Sequence, residues 1–105
     1  WWLDRLDGQW QKYGGGEALQ LSALPSEIFL KQCFIATDSD EALVAQVVDR
    51  YGDDNIVMSI DYPHADGGYP NGTEEFISLP GVGLESKKKI MWDNCRRLYG
   101  FVDAA

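Results

Sequence analysis

The chain has 105 residues, of which 45% are hydrophobic, so it can form one domain with an apolar core and no more than one. Its 9 basic and 17 acidic residues give a formal net charge of -8, which disfavours binding to nucleic acid and to anionic lipid. The sequence has neither an apolar run of transmembrane length nor a signal-peptide pattern. We therefore expect a cytoplasmic protein with no nucleic-acid partner and no membrane partner.

The N-terminal segment has the pattern of an amphipathic helix. Apolar residues recur at spacings of three and four over residues 1 to 13, and the glycines of residues 14 to 16 then stop the helix. Because the pattern is in phase from the first residue, we expect this helix to be the end of a longer one. Residues 17 to 29 predict a loop with a short helix after Pro25.

The central segment, residues 32 to 61, predicts one βαβ unit. The mostly apolar runs over residues 32 to 37 and 55 to 60 are typical of strands covered on both faces in a parallel sheet. An apolar stripe over residues 43 to 51 predicts a helix between them, and Asp38, three residues before its partner Glu41, is expected to cap the N-terminus of this helix. This crossover is long enough to join two parallel strands.

The C-terminal segment predicts two more helices. Residues 71 to 79 favour a short helix, and a last helix from about Glu85 to Gly100 carries apolar residues on one side. Cys33 and Cys95 each lie inside an apolar pattern, and no Cys-x-x-Cys occurs. We therefore expect both to be buried, reduced thiols.

The strongest candidate for chemistry is Asp61, which ends the second predicted strand. In α/β sheets and barrels, ligands and catalytic groups gather at the carboxyl ends of parallel strands. The alternative is that Asp61 only accepts hydrogen bonds from the turn that follows, as aspartate often does. Tyr62, Pro63 and the only histidine of the chain, His64, come next. Position alone leaves both interpretations of Asp61 open.

Four blocks of sequence together resemble the C-terminal part of amidohydrolase-related proteins, in the branch that includes aminocarboxymuconate-semialdehyde decarboxylase. The blocks run in the same order and spacing as in that branch and span nearly the whole chain. They are Trp1-Trp2-Leu3-Asp4-Arg5-Leu6-Asp7, the stretch from Pro25-Ser26-Glu27 to Cys33, Asp61-Tyr62-Pro63-His64-Ala65-Asp66-Gly67, and Asn94-Cys95-Arg96-Arg97-Leu98-Tyr99-Gly100-Phe101.

The resemblance implies an α/β fold in which residues 1 to 105 are one partial domain, the C-terminal segment of a (β/α)8 TIM-type barrel with its last two parallel strands and their helices. It implies a metal-dependent hydrolase or decarboxylase acting on a small molecule. Asp61 matches the acid that is a metal ligand or proton-transfer group at a divalent-metal site, commonly zinc. His64 would either touch the substrate or hydrogen-bond within the turn, and Asp66 is expected to serve the turn.

One departure from that family shapes the remaining expectations. The family's His-x-His pair and its further histidines are absent, since the chain has a single histidine. A zinc site needs three or four converging donors, so we expect the chain alone to bind no stoichiometric zinc and to be inactive. It would then require the remainder of the barrel as its partner, or form a homo-oligomer.

Two other interpretations remain open. The first is a non-enzymatic, acidic α/β module that acts by self-association or protein binding, which 4 Trp, 5 Tyr and 4 Phe would also suit. The second is a cation site built from Asp61, Asp66 and the Asp53-Asp54 pair. Their spacing is not that of an EF-hand.

Overall fold

A computed structural model describes residues 1 to 14 and 20 to 101 of the chain. Chain contacts divide it into two compact units, Trp1–Cys33 and Phe34 onwards. Part of the predicted glycine stop and of the loop that follows it lie outside the described residues. No helix in the described ranges has the length and apolar character needed to cross a membrane.

The first unit contains two helices, α1 (Trp2–Tyr13) and α2 (Pro25–Gln32). Both agree with the sequence, and the proline at the start of α2 suits the first turn of a helix because it needs no backbone donor there. A hydrogen bond joins the helices, since the backbone N–H of Ser26 donates to Oδ1 of Asp7 over 2.9 Å. No side chain of α1 is buried among the described residues.

The second unit contains the predicted βαβ unit. Strands β1 (Ile35–Thr37) and β2 (Ile56–Met58) pair in parallel, with Ile35 opposite Ile56, and α3 (Val44–Tyr51) connects them. The α/β class and the parallel pairing are therefore confirmed. Both strands are shorter than predicted. In β1, Ile35 and Ala36 are exposed, so the predicted cover on both faces of this strand is wrong for the described part of the chain.

The N-terminus of α3 differs from the prediction. The structure places Leu43 at the N-cap position, and no side chain there accepts a capping hydrogen bond. The capping role of Asp38 is therefore wrong. Its predicted partner, Glu41, instead accepts a hydrogen bond from Oγ1 of Thr37 over 3.0 Å. The helix begins only at Val44.

The C-terminal half is helical, as predicted. It consists of α4 (Gly72–Ser78), α5 (Leu84–Lys88), a π-helical segment (Lys89–Asp93) and α6 (Asn94–Tyr99). The last three follow one another without a break and together form the predicted last helix. This helix ends at Gly100, whose φ of 67° lies in the left-handed region that glycine adopts at low cost.

The core lies between α3, β2 and the C-terminal helices. It is formed by Val44, Ile56, Phe76, Val82 and Ile90.

A lysine is also buried in the second unit. Nζ of Lys87 donates to the carbonyl oxygens of Ile77 and Leu79, at 2.6 Å each, and the residue is only 7% exposed. Burial of an ammonium group is costly unless hydrogen bonds satisfy it, as these two do. The lysine therefore ties the end of α4 to α5.

Neither cysteine forms a disulfide, as predicted, but only one of them is even partly buried. Cys95 is half-buried and Cys33 is exposed. The predicted burial of Cys33 is wrong because the apolar run of residues 32 to 37 does not form one strand. Its first residue, Gln32, ends α2, and Cys33 is the C-cap of that helix.

Candidate functional site

The carboxyl ends of β1 and β2 open onto a hollow of about 210 Å³. Because the strands are parallel, the segments that follow them leave the sheet at the same edge. The hollow is lined by Asp38, Ser39, Asp40, Asp61, Asp66, Gly67, Gly68, Tyr69, Asn71 and Glu75. It therefore includes residues that follow both strands, in the position where α/β proteins bind ligands.

Asp61 lies at this edge in an uncommon backbone conformation. Its φ is 50°, in the left-handed region, and it is the only described non-glycine residue with a positive φ. Aspartate tolerates this region better than most residues. The backbone N–H of Asp61 donates to Oγ of Ser59 over 3.1 Å, and the carbonyl of Asp61 accepts from the N–H of His64 over 2.9 Å. The local turn thus fixes the backbone from which the carboxylate projects.

The side chains of Asp61 and His64 form a pair. Nδ1 of His64 lies 2.8 Å from Oδ2 of Asp61, and the two side chains are 67% and 52% exposed for His64 and Asp61 respectively. This is the hydrogen bond within the turn that the sequence offered as one role for His64. A pair this exposed is also accessible to a small molecule.

Asp66 completes a group of three possible metal ligands. One ligand atom each from Asp61, His64 and Asp66 lies within 4.8 Å of the others, and all three residues are exposed. Carboxylate oxygen and imidazole nitrogen are donors that zinc accepts. By donor type, the three residues fit part of a divalent-metal site.

The loop that carries these groups is closed by backbone hydrogen bonds and by close packing. The N–H of Gly68 donates to the carbonyl of Ile60 over 2.9 Å, and the N–H of Gly67 to that of His64 over 3.2 Å. A Cβ atom at Gly68 would lie 2.4 Å from Oγ of Ser39. Only glycine therefore lets the loop after β2 approach the loop after β1 this closely.

Ser39 and Glu75 are among the polar residues of the hollow that sequence reasoning missed. Ser39 is 2% exposed, and its hydroxyl donates to Oε2 of Glu75 over 2.8 Å. Ser39 could have been found from its place after β1, by the reasoning that selected Asp61 after β2. Glu75 is in the first turn of α4, and no local sequence signal connects it to the hollow.

The acidic and basic residues that line the hollow, among the described residues, are all acidic. Five of its lining residues are carboxylates, and no lysine or arginine lines it in the described part of the chain. Asp53 and Asp54, which the sequence offered for a cation site with Asp61, are elsewhere and form ion pairs with Lys89. The hollow therefore favours a cation over an anion, unless positive charge is added to it.

Comparison with known proteins gives matches of two different kinds. The family model for amidohydrolase matches residues 1 to 101. The solved structure of 5-carboxyvanillate decarboxylase LigW from Sphingomonas paucimobilis is similar, with a TM-score of 0.75 and 25% sequence identity. The match covers 96% of this chain and 30% of that one, so the chain spans less than a third of the length of this relative. The comparison with curated proteins gives no match.

These matches confirm the resemblance that the four sequence blocks predicted. The family model begins at the first residue of the first block and ends at the last residue of the fourth. The structural match agrees with the observed parallel strands and helices, and it covers only part of a TIM-barrel amidohydrolase. The chain belongs to the amidohydrolase family, and its fold is similar to a portion of an amidohydrolase barrel.

Proposed function

We propose that residues 1 to 105 are one partial domain, the C-terminal segment of a metal-dependent enzyme of the amidohydrolase family, and that Asp61 is its metal ligand and proton-transfer group. The observation that carries this proposal is the position of Asp61, just beyond the carboxyl end of β2, with His64 and Asp66 within reach of the same point. The amidohydrolase family match supports a metal-dependent reaction.

The proposed metal is a divalent cation, with zinc as the first candidate. Asp61 would hold it, and the neighbouring Asp66 supplies a second carboxylate of suitable type. When bound, a divalent cation acts as a Lewis acid and lowers the pKa of water. The five carboxylates of the hollow would favour its uptake.

The proposed work of this chain's own residues is to orient the reactants and to transfer protons. A carboxylate oxygen of Asp61 accepts a proton from the reacting group and returns it later in the cycle. His64 binds the substrate, and the hydrogen bond from its ring to Oδ2 of Asp61 holds the ring in place for that contact. Both side chains are exposed enough to meet a small molecule.

For the reaction we propose two classes, in order of priority. Decarboxylation of a small carboxylic acid comes first, because the structural relative is a decarboxylase by its name. Hydrolysis comes second, because the matching family model is described as an amidohydrolase. In either case we propose a cytoplasmic enzyme whose remaining ligands come from the remainder of the barrel.

A second candidate function follows from exposed apolar side chains of the second unit. Leu43, Leu84 and Trp92 are each more than half exposed, and in the described residues the sheet has two strands only. A non-enzymatic module that self-associates or binds another protein would cover such side chains. The remainder of a barrel would cover the same side chains equally well. An experiment is therefore needed to distinguish the non-enzymatic module from the enzyme segment.

The test compares the 105-residue chain with the longer protein of which it is proposed to be the C-terminal segment. Each is purified and dialysed, its metal is measured by elemental analysis, and its activity is assayed on small carboxylic acids and on amide and ester substrates. We expect about one or two bound metal ions and activity in the longer protein, and neither in the chain alone. One tightly held ion per isolated chain would contradict the proposal that the site needs other segments.

A separate measurement addresses the second candidate. Sedimentation velocity of the longer protein, run over a range of concentrations, reports self-association without reference to catalysis. A metal-free, inactive protein that forms a defined oligomer through this segment would favour the non-enzymatic module.

A further inference from the structure

A buried serine after β1 and a glutamate in α4 form a hydrogen bond that the proposed metal chemistry does not use. The hydroxyl of Ser39 donates to Oε2 of Glu75, in the first turn of α4, over 2.8 Å. Both residues line the hollow. Ser39 is only 2% exposed, so its hydroxyl needs a hydrogen-bond partner within the protein, and Glu75 is that partner.

The side chain of Ser39 also lies where three segments approach one another most closely. A Cβ atom at Gly68 would lie 2.4 Å from Oγ of Ser39, and a Cβ atom at Gly72 would lie 3.3 Å from the same oxygen. Gly68 belongs to the loop after β2, and Gly72 is the first residue of α4. The loop after β1, the loop after β2 and α4 therefore meet at one serine side chain.

The same contacts extend to the backbone that carries Asp61. The N–H of Gly68 donates to the carbonyl of Ile60, and the N–H of Gly72 donates to the carbonyl of Gly68. A Cβ atom at Gly72 would lie 2.6 Å from Cγ2 of Ile60, the residue before Asp61. Because close-packed groups transmit displacements, a shift of α4 would move Ile60 and Asp61 with it.

Glu75 is well placed to hold α4 against the loop after β1. The next residue, Phe76, is fully buried in the core, so this part of the helix is anchored from its other side. A hydrogen bond to a carboxylate is shorter and stronger than one between neutral groups. No lysine or arginine is among the described residues that line the hollow, so no cation there competes with Ser39 for the carboxylate.

We infer that Ser39 and Glu75 are positioning residues of the proposed site, and that their hydrogen bond holds the loop after β1 against α4 and so fixes the backbone at Asp61. This inference rests on the proposed function, because it takes Asp61 as the proton-transfer group. Neither residue touches the reacting atoms. Their contribution is to keep Asp61 at the distance that proton transfer requires, since a misplacement of about 1 Å can cost about 100-fold in rate.

The first test is a double-mutant cycle in the longer, metal-loaded protein, assayed on the substrate that it turns over fastest. The cycle compares kcat of Ser39→Ala, of Glu75→Ala and of the variant with both substitutions, each confirmed as folded at the assay temperature. Because each substitution removes the same hydrogen bond, we expect about a 5-fold fall in each single variant and no larger fall in the double variant. A multiplied fall of about 25-fold, or an unchanged kcat in both single variants, would overturn the inference.

A conservative variant separates the hydrogen bond from the charge of the carboxylate. In Glu75→Gln the amide oxygen can still accept from Ser39, so kcat should stay within about 2-fold of wild type. Glu74→Ala, which changes the neighbouring glutamate outside the lining of the hollow, is the matched control for Glu75→Ala and should behave as wild type. If Glu75→Gln loses as much activity as Glu75→Ala, the site requires the charge of Glu75, and the positioning role is wrong.

Hydrogen exchange measured by mass spectrometry reports on the loop after β2 without reference to turnover. Backbone hydrogen bonds such as that of the Gly68 N–H close this loop, so its amides exchange when the loop opens. We expect residues 61 to 68 to exchange at least about 5-fold faster in both single alanine variants than in wild type, with residues 89 to 99 unchanged. Equal exchange of residues 61 to 68, or faster exchange in both segments, would overturn the inference.

Failure of this inference and failure of the proposed function have different signatures. If the longer protein binds metal and is active, but the cycle or the exchange measurement gives the opposite result, only the positioning role is wrong. If the longer protein binds no metal and has no activity, the proposed function is wrong. The exchange measurement alone then decides whether the hydrogen bond between Ser39 and Glu75 holds the loop.

Discussion

The two ends of the short parallel sheet differ in how their polar groups are satisfied. At the amino end of β2, Asp53 accepts hydrogen bonds from Nζ of Lys89 and from the hydroxyl of Ser86, at 2.5 and 2.6 Å. At the carboxyl end, the carboxylates of the hollow line open space, and no lysine or arginine is among the described lining residues. The aspartates at the amino end are thus paired with a lysine. The carboxylates that line the hollow have no lysine or arginine among the described lining residues.

Further contacts bind the amino end to the last helix. Asn94 is 2% exposed, and its Nδ2 donates to the carbonyls of Asp53 and Ile56 at 2.6 and 2.7 Å. Arg97 also donates to the carbonyl of Asp54. Side chains of one helix thus satisfy the backbone of the loop that leads into β2, a purely structural use of polar residues.

The same difference is found in β/α barrels, where catalytic residues lie at the carboxyl ends of the strands and residues at the amino ends contribute to stability. The comparison yields a rule for this chain: substitutions at the amino end should cost stability and spare activity. Substitutions of the carboxylates that line the hollow should do the opposite. The following predictions test that rule in the proposed longer protein, from the largest expected effect on stability to the smallest.

The largest loss of stability is expected for Asn94→Leu. The substitution keeps the approximate size of the side chain but leaves two carbonyls without their donor, at about 1 to 3 kcal/mol for each group left buried and unsatisfied. Chemical denaturation should show a loss of about 2 to 6 kcal/mol. The control Gln11→Leu, at an exposed position of α1, should change stability by less than about 0.5 kcal/mol. A neutral Asn94→Leu would contradict the structural role of the amino end.

A smaller loss, combined with a loss of activity, is expected for Gly68→Ala. The new Cβ atom would lie 2.4 Å from Oγ of Ser39, so the loop that carries Asp61 must shift. We expect a destabilisation of about 1 to 3 kcal/mol, and at least about a 10-fold fall in kcat/KM from misplacement of the site.

Two further variants check the cause of that effect. Gly83→Ala, at the N-cap of α5, places a Cβ atom where no atom beyond its chain neighbours lies within 4 Å, so it should cost less than about 1 kcal/mol of stability and leave activity near wild type. Adding Ser39→Ala to Gly68→Ala removes the nearest clashing atom and should recover part of both losses. If the double variant is no better than Gly68→Ala alone, crowding against Ser39 is not the cause.

The smallest effect is the pH dependence of the Asp53–Lys89 ion pair. The hydrogen bond from Lys89 lowers the pKa of Asp53, and the same bond raises the pKa of Lys89. The contribution of Asp53 to stability is therefore present above about pH 4 and is lost as the pH falls through its lowered pKa. That of Lys89 is lost only as the pH rises above about 10.5.

Both groups are partly exposed, so the ion pair should contribute no more than about 1 kcal/mol. Unfolding free energies measured from about pH 2 to pH 7 should show a shallower acid limb in Asp53→Asn than in wild type. Asp49→Asn, at an exposed position of α3, serves as the control and should keep the wild-type slope. Parallel curves for wild type and Asp53→Asn would show that this ion pair has no part in acid stability.

The sequence predicted features that depend on local pattern. Hydrophobic periodicity predicted the βαβ unit and the helix over residues 1 to 13. A single glycine, Gly100, predicted the end of the last helix. The four blocks of resemblance identified the family, and the same family model covers residues 1 to 101. The presence of a strand end near Asp61 also followed from the pattern.

The features that the sequence did not predict depend on contacts between distant segments. Lys87 is buried because the carbonyls of Ile77 and Leu79 accept from its ammonium group, and no spacing in the chain signals that contact. Glu75 accepts the hydroxyl of Ser39, which lies 36 residues earlier in the chain. The N-cap of α3 was misplaced because Glu41, which the predicted cap required, accepts a hydrogen bond from the hydroxyl of Thr37 instead.

The most direct test of the account compares Asp61→Asn with Asp53→Asn in the longer protein, by steady-state kinetics, metal content and chemical denaturation. Asparagine is also tolerated in the left-handed conformation of residue 61, so Asp61→Asn should keep its stability within about 0.5 kcal/mol while turnover falls by about 100-fold or more. Asp53→Asn should lose some stability and keep wild-type turnover. Near-normal turnover of Asp61→Asn with its full complement of metal would contradict the account, because Asp61 would then serve only the turn.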